Sequence, residues 1–259
     1  MNAPVLVDSR RQHQIASSPF RVLDEGSTRS DLASRREVKF TVPGADLGKL
    51  RRLLDSNCHR LIHHDCISTV RSIYFDDVRL SACHANLDGI GRRQKVRLRW
   101  YDSLPPTADF FFEIKWRDNR VTGKHRLHMQ TDRPLATMPY KQIVDGLHVA
   151  LPAQYVGDLL ATSEPVAIVE YRREHFASRD NSLRVTLDYD LAFYDQTGKR
   201  FISTSFPHRL HRLVVVEGKT PVGHESELRE LLFPWTPRIG RCSKYVHGCR
   251  LLGLIPPKL

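Results

Sequence analysis

Residues 94–101 read QKVRLRWY, and their parity decides what kind of surface this chain builds. Lys95, Arg97, Arg99 and Tyr101 take the odd positions, and Val96, Leu98 and Trp100 the even ones. Successive side chains of a β-strand point to opposite faces, so the stretch predicts a strand with cations on one side and bulky apolar groups on the other. A row of three cations along one face needs something to offset its repulsion.

The alternation recurs outward from that strand. Glu37 and Lys39 share a face in RREVKFTV (35–42), with Val38, Phe40 and Val42 opposite. Glu113 and Lys115 do so in DFFFEIKWR (109–117), and Glu217 and Lys219 in the strand expected over 210–220. Arg184 and Asp188 share a face in SLRVTLDYD (182–190), as do Tyr171 and Arg173 in EYRREHF (170–176). One such strand alone reads as part of a sheet with one face on the core and the other in water. Six together, with Phe40, Trp100, Phe112 and Trp116 on the opposite side, predict an outer wall under helices and a charged face turned inward.

Enclosing unpaired cations is costly unless anions compensate them. Lys39, Arg97, Arg99, Lys115, Arg184 and Lys219 outnumber Glu37, Glu113, Asp188 and Glu217, so a densely anionic ligand is expected. A phosphate chain fits, because Arg grips it bidentately and Lys acts as a point charge. The carboxylates point to a divalent cation as cofactor, since Mg²⁺ or Mn²⁺ takes one or two carboxylates with phosphate oxygens and water.

The remaining text supplies the frame. Further strands are expected over 69–76, 122–130 and 166–176, with helices over 45–56, over 140–162 broken at Pro152, and over 225–233. About eight strands with hairpin spacing make an α+β protein on a mostly antiparallel sheet, open or closed. Residues 1–33 are polar and poor in large apolar groups and read as a disordered leader, leaving 34–259 as one domain. Gly218, between Glu217 and Lys219, is expected to mark a bulge or the close approach of another backbone.

Composition narrows the partners. A formal charge of +11 favours anions such as nucleic acid, anionic lipid or phosphate compounds. Nucleic acid is disfavoured because the cations alternate along strands instead of lining a helix or an aromatic platform. Five cysteines without a C-x-x-C pair give neither a disulfide framework nor a zinc ribbon, and the set Cys58, His59, His63, His64 and Cys66 matches no zinc spacing. A reducing, cytoplasmic setting is expected, and no apolar run approaches the roughly 18 residues of a membrane helix.

The ordered series E37-V-K39, SIYFD ending at Asp76, KVRLRWY, FEIKW, Tyr171-x-Arg173, RVTLD, VEGK and SKY at 243–245 resembles the VTC domain over about Ser34 to Leu254. That is the polyphosphate polymerase branch of the CYTH, or triphosphate tunnel metalloenzyme, superfamily. The resemblance implies a closed eight-stranded antiparallel β-barrel, a tunnel, with helices packed on its outside. It implies phosphate-binding roles for Lys39, Arg97, Arg99, Lys115, Arg173, Arg184, Lys219 and Lys244, with Tyr171 and Ser243 as hydroxyl donors and Lys124 as a further tunnel residue. Glu217 would bind the metal, with Glu37 and Glu113 as further candidates, and Arg97, Arg99, Lys115 and Glu217 would carry catalysis.

The implied reaction moves the γ-phosphoryl group of ATP to a phosphate or polyphosphate acceptor, with Mn²⁺ or Mg²⁺ as cofactor. A tripolyphosphatase or nucleoside triphosphatase, and a non-catalytic polyphosphate-binding module, stay open as alternatives, because the acceptor is not a residue. Eukaryotic members work within a membrane complex, so a membrane-protein partner is left open as well.

Overall fold

The computed structural model describes residues 19–25, 35–62, 65–101, 103–119, 121–233, 235 and 242–256. Its elements in chain order are β1 (Phe20–Glu25), β2 (Arg35–Pro43), α1 (Leu47–Asn57), β3 (Cys58–Arg60), β4 (Ser68–Asp76), α2 (Ser81–Leu87), β5 (Arg92–Tyr101), β6 (Asp109–Asp118), β7 (Val121–Thr131), α3 (Tyr140–Ala150), α4 (Ala153–Ala161), β8 (Glu164–Ser178), β9 (Arg184–Asp195), β10 (His208–Leu210), β11 (Leu213–Pro221), α5 (Glu225–Leu231) and α6 (Lys244–Leu251). The strands form one antiparallel sheet in the order β1-β7-β6-β5-β4-β8-β9-β11-β2, with β10 added to β9 and β3 to β8.

The expected closed eight-stranded barrel is not formed. The sheet has eleven strands, and its path ends at β1 on one side and β2 on the other. The edge of β7 that closure would need is taken by β1, which pairs Phe20 with Thr131 and Arg21 with Gln130. The open sheet is nonetheless strongly curled. Strands β6 and β2 stand six places apart, roughly 29 Å if the sheet were flat at about 4.8 Å per strand. Even so, Lys115 on β6 meets Glu37 on β2 at 3.2 Å. The edges approach through side chains and not through a backbone ladder, which gives a trough with a charged inner face.

The expectation of a disordered leader also needs correction. Phe20–Glu25 lies inside residues 1–33 yet forms β1, while 1–18 and 26–33 lie outside the described residues. Phe20 is buried against Phe110, in an edge-on ring contact, and against Gly146 of α3. A Cβ at Gly146 would sit 2.3 Å from the Phe20 ring, so only glycine lets strand and helix approach this closely.

Apolar residues of even parity form the outer core. Val96, Leu98, Trp100, Phe112 and Ile114 pack under Tyr140, Ile143 and Leu147 of α3 and Leu159 of α4. Phe40, Val42, Val214 and Val216 pack under Leu50 and Leu54 of α1 and Leu228 of α5. The leucine spacing of α1 is what turns one side of that helix to the sheet. Pro152 separates α3 from α4, as a ring that removes a donor must. Gly218 marks no bulge, since the β11 register runs unbroken on both sides. It makes room for Leu228, whose Cδ2 would lie 2.3 Å from an added Cβ.

Helix α6 breaks the expectation that helices cover only the outside. Its Tyr245 stacks on Tyr74 at 4.9 Å between ring centroids, on the charged side of β4. The Tyr245 hydroxyl donates to Asp76 at 2.7 Å, and the same buried carboxylate caps the first turn of α2 through the amides of Ala82 and Cys83. Helices α2 and α6 therefore fill part of the trough.

Candidate functional site

Pairing register converts the alternation of single strands into rungs. Across β5, β6 and β7 the inner face carries Lys95, Lys115 and Lys124 directly side by side. The next rung is Arg97, Glu113 and Arg126, and the one after that Arg99, Phe111 and His128. The register of β6 and β7 is fixed by a two-residue turn, with Asp118 paired to Val121 and Asn119 at φ 51°. That register turns Lys124 inward.

Three lysines in line are unfavourable, because like charges directly opposite on neighbouring strands repel. The carboxylates nearest this rung come from elsewhere: Glu37 reaches Lys115 from β2 at 3.2 Å, and Glu113 reaches Lys124 diagonally at 3.4 Å. Lys95 meets a neutral partner, donating to Ser243 Oγ at 2.8 Å.

Glu113 anchors the middle rung. Its fully buried carboxylate meets Arg97 Nη2 at 2.6 Å, Lys124 at 3.4 Å, Arg126 at 3.5 Å and Arg99 at 3.7 Å. Arg97 also donates to the Tyr74 hydroxyl at 2.7 Å, and Arg99 donates to Ser72 at 3.1 Å and Tyr171 at 3.4 Å.

The opposite wall is built the same way. Lys39, Glu217 and Thr186 form one rung of β2, β11 and β9, and Glu37, Lys219 and Arg184 the next. Glu217 meets Lys39 at 3.0 Å, Lys219 at 3.6 Å and Arg173 at 4.0 Å. Asp188, fully buried, takes Arg173 in a two-pronged grip at 2.5 and 2.7 Å and Lys244 at 2.5 Å. Lys244 and Arg173 also lie over the Tyr171 ring, at 4.6 and 5.1 Å. Arg184 Nε and Thr186 Oγ1 are buried on this wall without a hydrogen-bond partner among the described residues.

Of the residues singled out in the sequence as site residues, Glu37, Lys39, Arg97, Arg99, Glu113, Lys115, Lys124, Tyr171, Arg173, Arg184, Glu217 and Lys219 lie on the inner face of the sheet, and Ser243 and Lys244, at the start of α6, meet it through Lys95 and Asp188. Further inner-face residues, Lys95, Arg126, Tyr74 and Asp188 among them, were not singled out as site residues. Lys95 and Arg126 complete the rungs, and Tyr74 bridges Arg97 to α6. Their parity with Arg97 and Lys124 was readable; their neighbours across strands were not.

Along these rungs eleven cations face four carboxylates, a surplus of seven. Protonation reflects the imbalance. Burial brings the Lys95 ammonium down to about 8, with Lys115, Lys39 and Arg93 pushing the same way against Tyr74. Burial likewise brings Lys124 down to about 8, with Glu113 acting against it and Arg126, Arg97 and Arg99 pushing the same way. Lys115 is lowered first by Lys39 and then by burial. For Glu113 and Glu217 burial acts upward, yet the surrounding cations hold both carboxyls well below their usual range. Tyr74 drops to about 8, burial notwithstanding, because Arg97, Arg99 and Lys95 stabilise its phenolate. Such a face is poised to take an anion.

The three carboxylates expected to bind metal differ. Glu113 does not fit a metal ligand, because four cations already surround both of its oxygens. Glu217 fits better: its cations make single-point contacts at 3.0 Å or longer. Among the described residues no three His, Cys, Asp or Glu side chains stand close enough to hold an ion by themselves, so phosphate oxygens and water would complete the shell. Also among the described residues, no helix is long and apolar enough to cross a membrane. Of the His and Cys cluster, His63 and His64 lie outside the described residues.

No curated protein matches the sequence. A family model, the VTC domain, matches residues 34–253.

Proposed function

The chain belongs to the VTC domain family, which carries a polyphosphate-related function, and from that premise we propose that it is a phosphotransferase of the polyphosphate polymerase type. It moves the γ-phosphoryl group of ATP to a phosphate or polyphosphate acceptor along the inner face of the trough. The observation that carries this reading is the rung Lys95, Lys115 and Lys124, three ammonium groups in register with no carboxylate of their own strand order between them. A chain of phosphates offers repeated negative charge at a spacing that a row of rungs can follow.

Phosphoryl transfer asks little covalent chemistry of a protein. It needs the two reacting oxygens in line and the charge on the equatorial oxygens neutralised. Lys95, Lys115 and Lys124 hold the chain from one wall, and Lys39, Lys219 and Arg184 from the other. Arg97 and Arg99 stand at the centre, fixed by Glu113, Tyr74, Ser72 and Tyr171, so they are oriented before the substrate arrives. Ser243 and Lys244, at the start of α6, add a hydroxyl and an ammonium from the filled side. A divalent cation, Mn²⁺ or Mg²⁺, held by Glu217 together with phosphate oxygens and water, would neutralise charge on the transferred group.

Incubation with ATP and Mn²⁺ followed by gel separation of the products tests the reading. Long chains are expected, and Glu217→Ala is expected to abolish their formation while tripolyphosphate binding is retained. Release of free phosphate alone would contradict transfer in favour of hydrolysis, and no turnover would leave a binding module.

A further inference from the structure

We propose that Glu37 is a built-in counter-anion: its carboxylate holds, between Lys39 and Lys115, the place that one oxygen of the incoming phosphate chain takes, and it swings out as the chain binds. The inference rests on the reading of the inner face as a phosphate-chain site.

The four carboxylates along the rungs of that face fall into two kinds. Glu113, Asp188 and Glu217 are buried, and each has a guanidinium among its partners. The Glu37 side chain is 28% exposed, and among the described residues its ion pairs are with Lys39 and Lys115 only, both through the same oxygen, Oε1. An ammonium is a point charge on a flexible stem, so another oxyanion can take over its contacts without loss of any two-pronged geometry. A single oxygen shared by two ammonium groups is also how a phosphate oxygen would sit there.

Position supports the same role. Glu37 stands on β2, which among the described residues is an edge strand paired only to β11. From that edge it reaches across the open seam to the lysine rung of β6, a rung whose in-register members are all cations. Burial and the neighbouring Glu217 act against its negative charge, and Lys115 and Lys39 outweigh them, holding its carboxyl below the usual range. A carboxylate that is partly exposed and held by two replaceable contacts is the one an anion displaces first.

The test is calorimetric titration of tripolyphosphate, in EDTA, into the full chain and into Glu37→Gln, Lys115→Met and the double variant. Glu37→Gln is expected to tighten binding at least about fivefold in the parent and by less than about twofold in the Lys115→Met background, the coupling expected of a contact pair. Glu225→Gln, which removes a carboxylate paired with Arg36 away from the lysine rung, should stay within about twofold of the parent and so controls for net charge. Weaker or unchanged binding by Glu37→Gln overturns the proposal, as does equal tightening in both backgrounds. Weakening that appears only on adding Mn²⁺ also overturns it and makes Glu37 a metal ligand. Failure of the parent itself to bind tripolyphosphate would refute the phosphate-chain reading instead, a result distinct from binding that ignores Glu37.

Discussion

Arg97 and Glu113 stand directly opposite each other on β5 and β6, and Arg97 Nε and Nη2 both meet the same carboxylate oxygen, at 2.7 and 2.6 Å. The other oxygen faces Lys124 and Arg126 at 3.4 and 3.5 Å. One buried anion thus holds together a cluster of cations that would otherwise repel, and removing it leaves them uncompensated. Glu113→Gln should cost about 3–5 kcal/mol of stability, the range for breaking a buried ion pair. Thermal melting checks this, and added tripolyphosphate should restore much of the loss.

The lysine rung predicts an unusual pH dependence. Lys95 and Lys124 titrate near 8 in the fold, against about 10.4 in an unfolded chain. Between those values the unfolded chain binds more protons, so stability rises with pH across that window, and below about 8 the fold bears the full repulsion. Melting temperature without anions should therefore climb from about pH 8 toward 10, as far as these groups contribute. Lys95→Met with Lys124→Met should flatten the rise, and saturating tripolyphosphate, by keeping both lysines charged, should abolish it.

β1 is predicted to be part of the fold. Phe20→Ala should cost about 3–5 kcal/mol, the usual range for emptying a buried aromatic site. Denaturant unfolding measures it. An unchanged midpoint would mean that β1 adds nothing to the sheet.

Gly218→Ala places a methyl where Leu228 of α5 now sits, with Cδ2 and Cδ1 at 2.3 and 2.8 Å from the added atom. Overpacking of this kind costs about 1–3 kcal/mol. Gly218→Ala with Leu228→Ala should recover part of that loss if the contact is the cause.

Much of this architecture was legible because parity along one strand is a local property. Lys39, Arg97, Lys115 and Lys219 declare their face through the apolar residues between them, and each lies on the inner face. What parity cannot supply is the partner across the ladder. The rung of Lys95, Lys115 and Lys124 depends on two registers, one of them set by the turn at Asn119. Closure was likewise unreadable, because it hinged on whether six residues in a polar leader would cover the edge of β7. Their one strong anchor, Phe20, finds its pocket at Gly146, 126 positions away in sequence. Helix α6 escaped notice because RCSKYVHG is short and polar, and its burial depends on partners distant in sequence: Tyr245 stacks on Tyr74, and Val246 and Cys249 join the same buried cluster as Tyr171 and Phe193.

The most direct measurement is calorimetric titration of tripolyphosphate into the full chain and into the triple variant Lys95→Met, Lys115→Met, Lys124→Met. If the inward lysine rung binds the phosphate chain, three charge-assisted contacts of about 1.5 kcal/mol each are lost, and affinity falls about a thousandfold or more. Equal affinity in the two proteins would contradict the account, because the surplus charge of the trough would then play no part in holding phosphate.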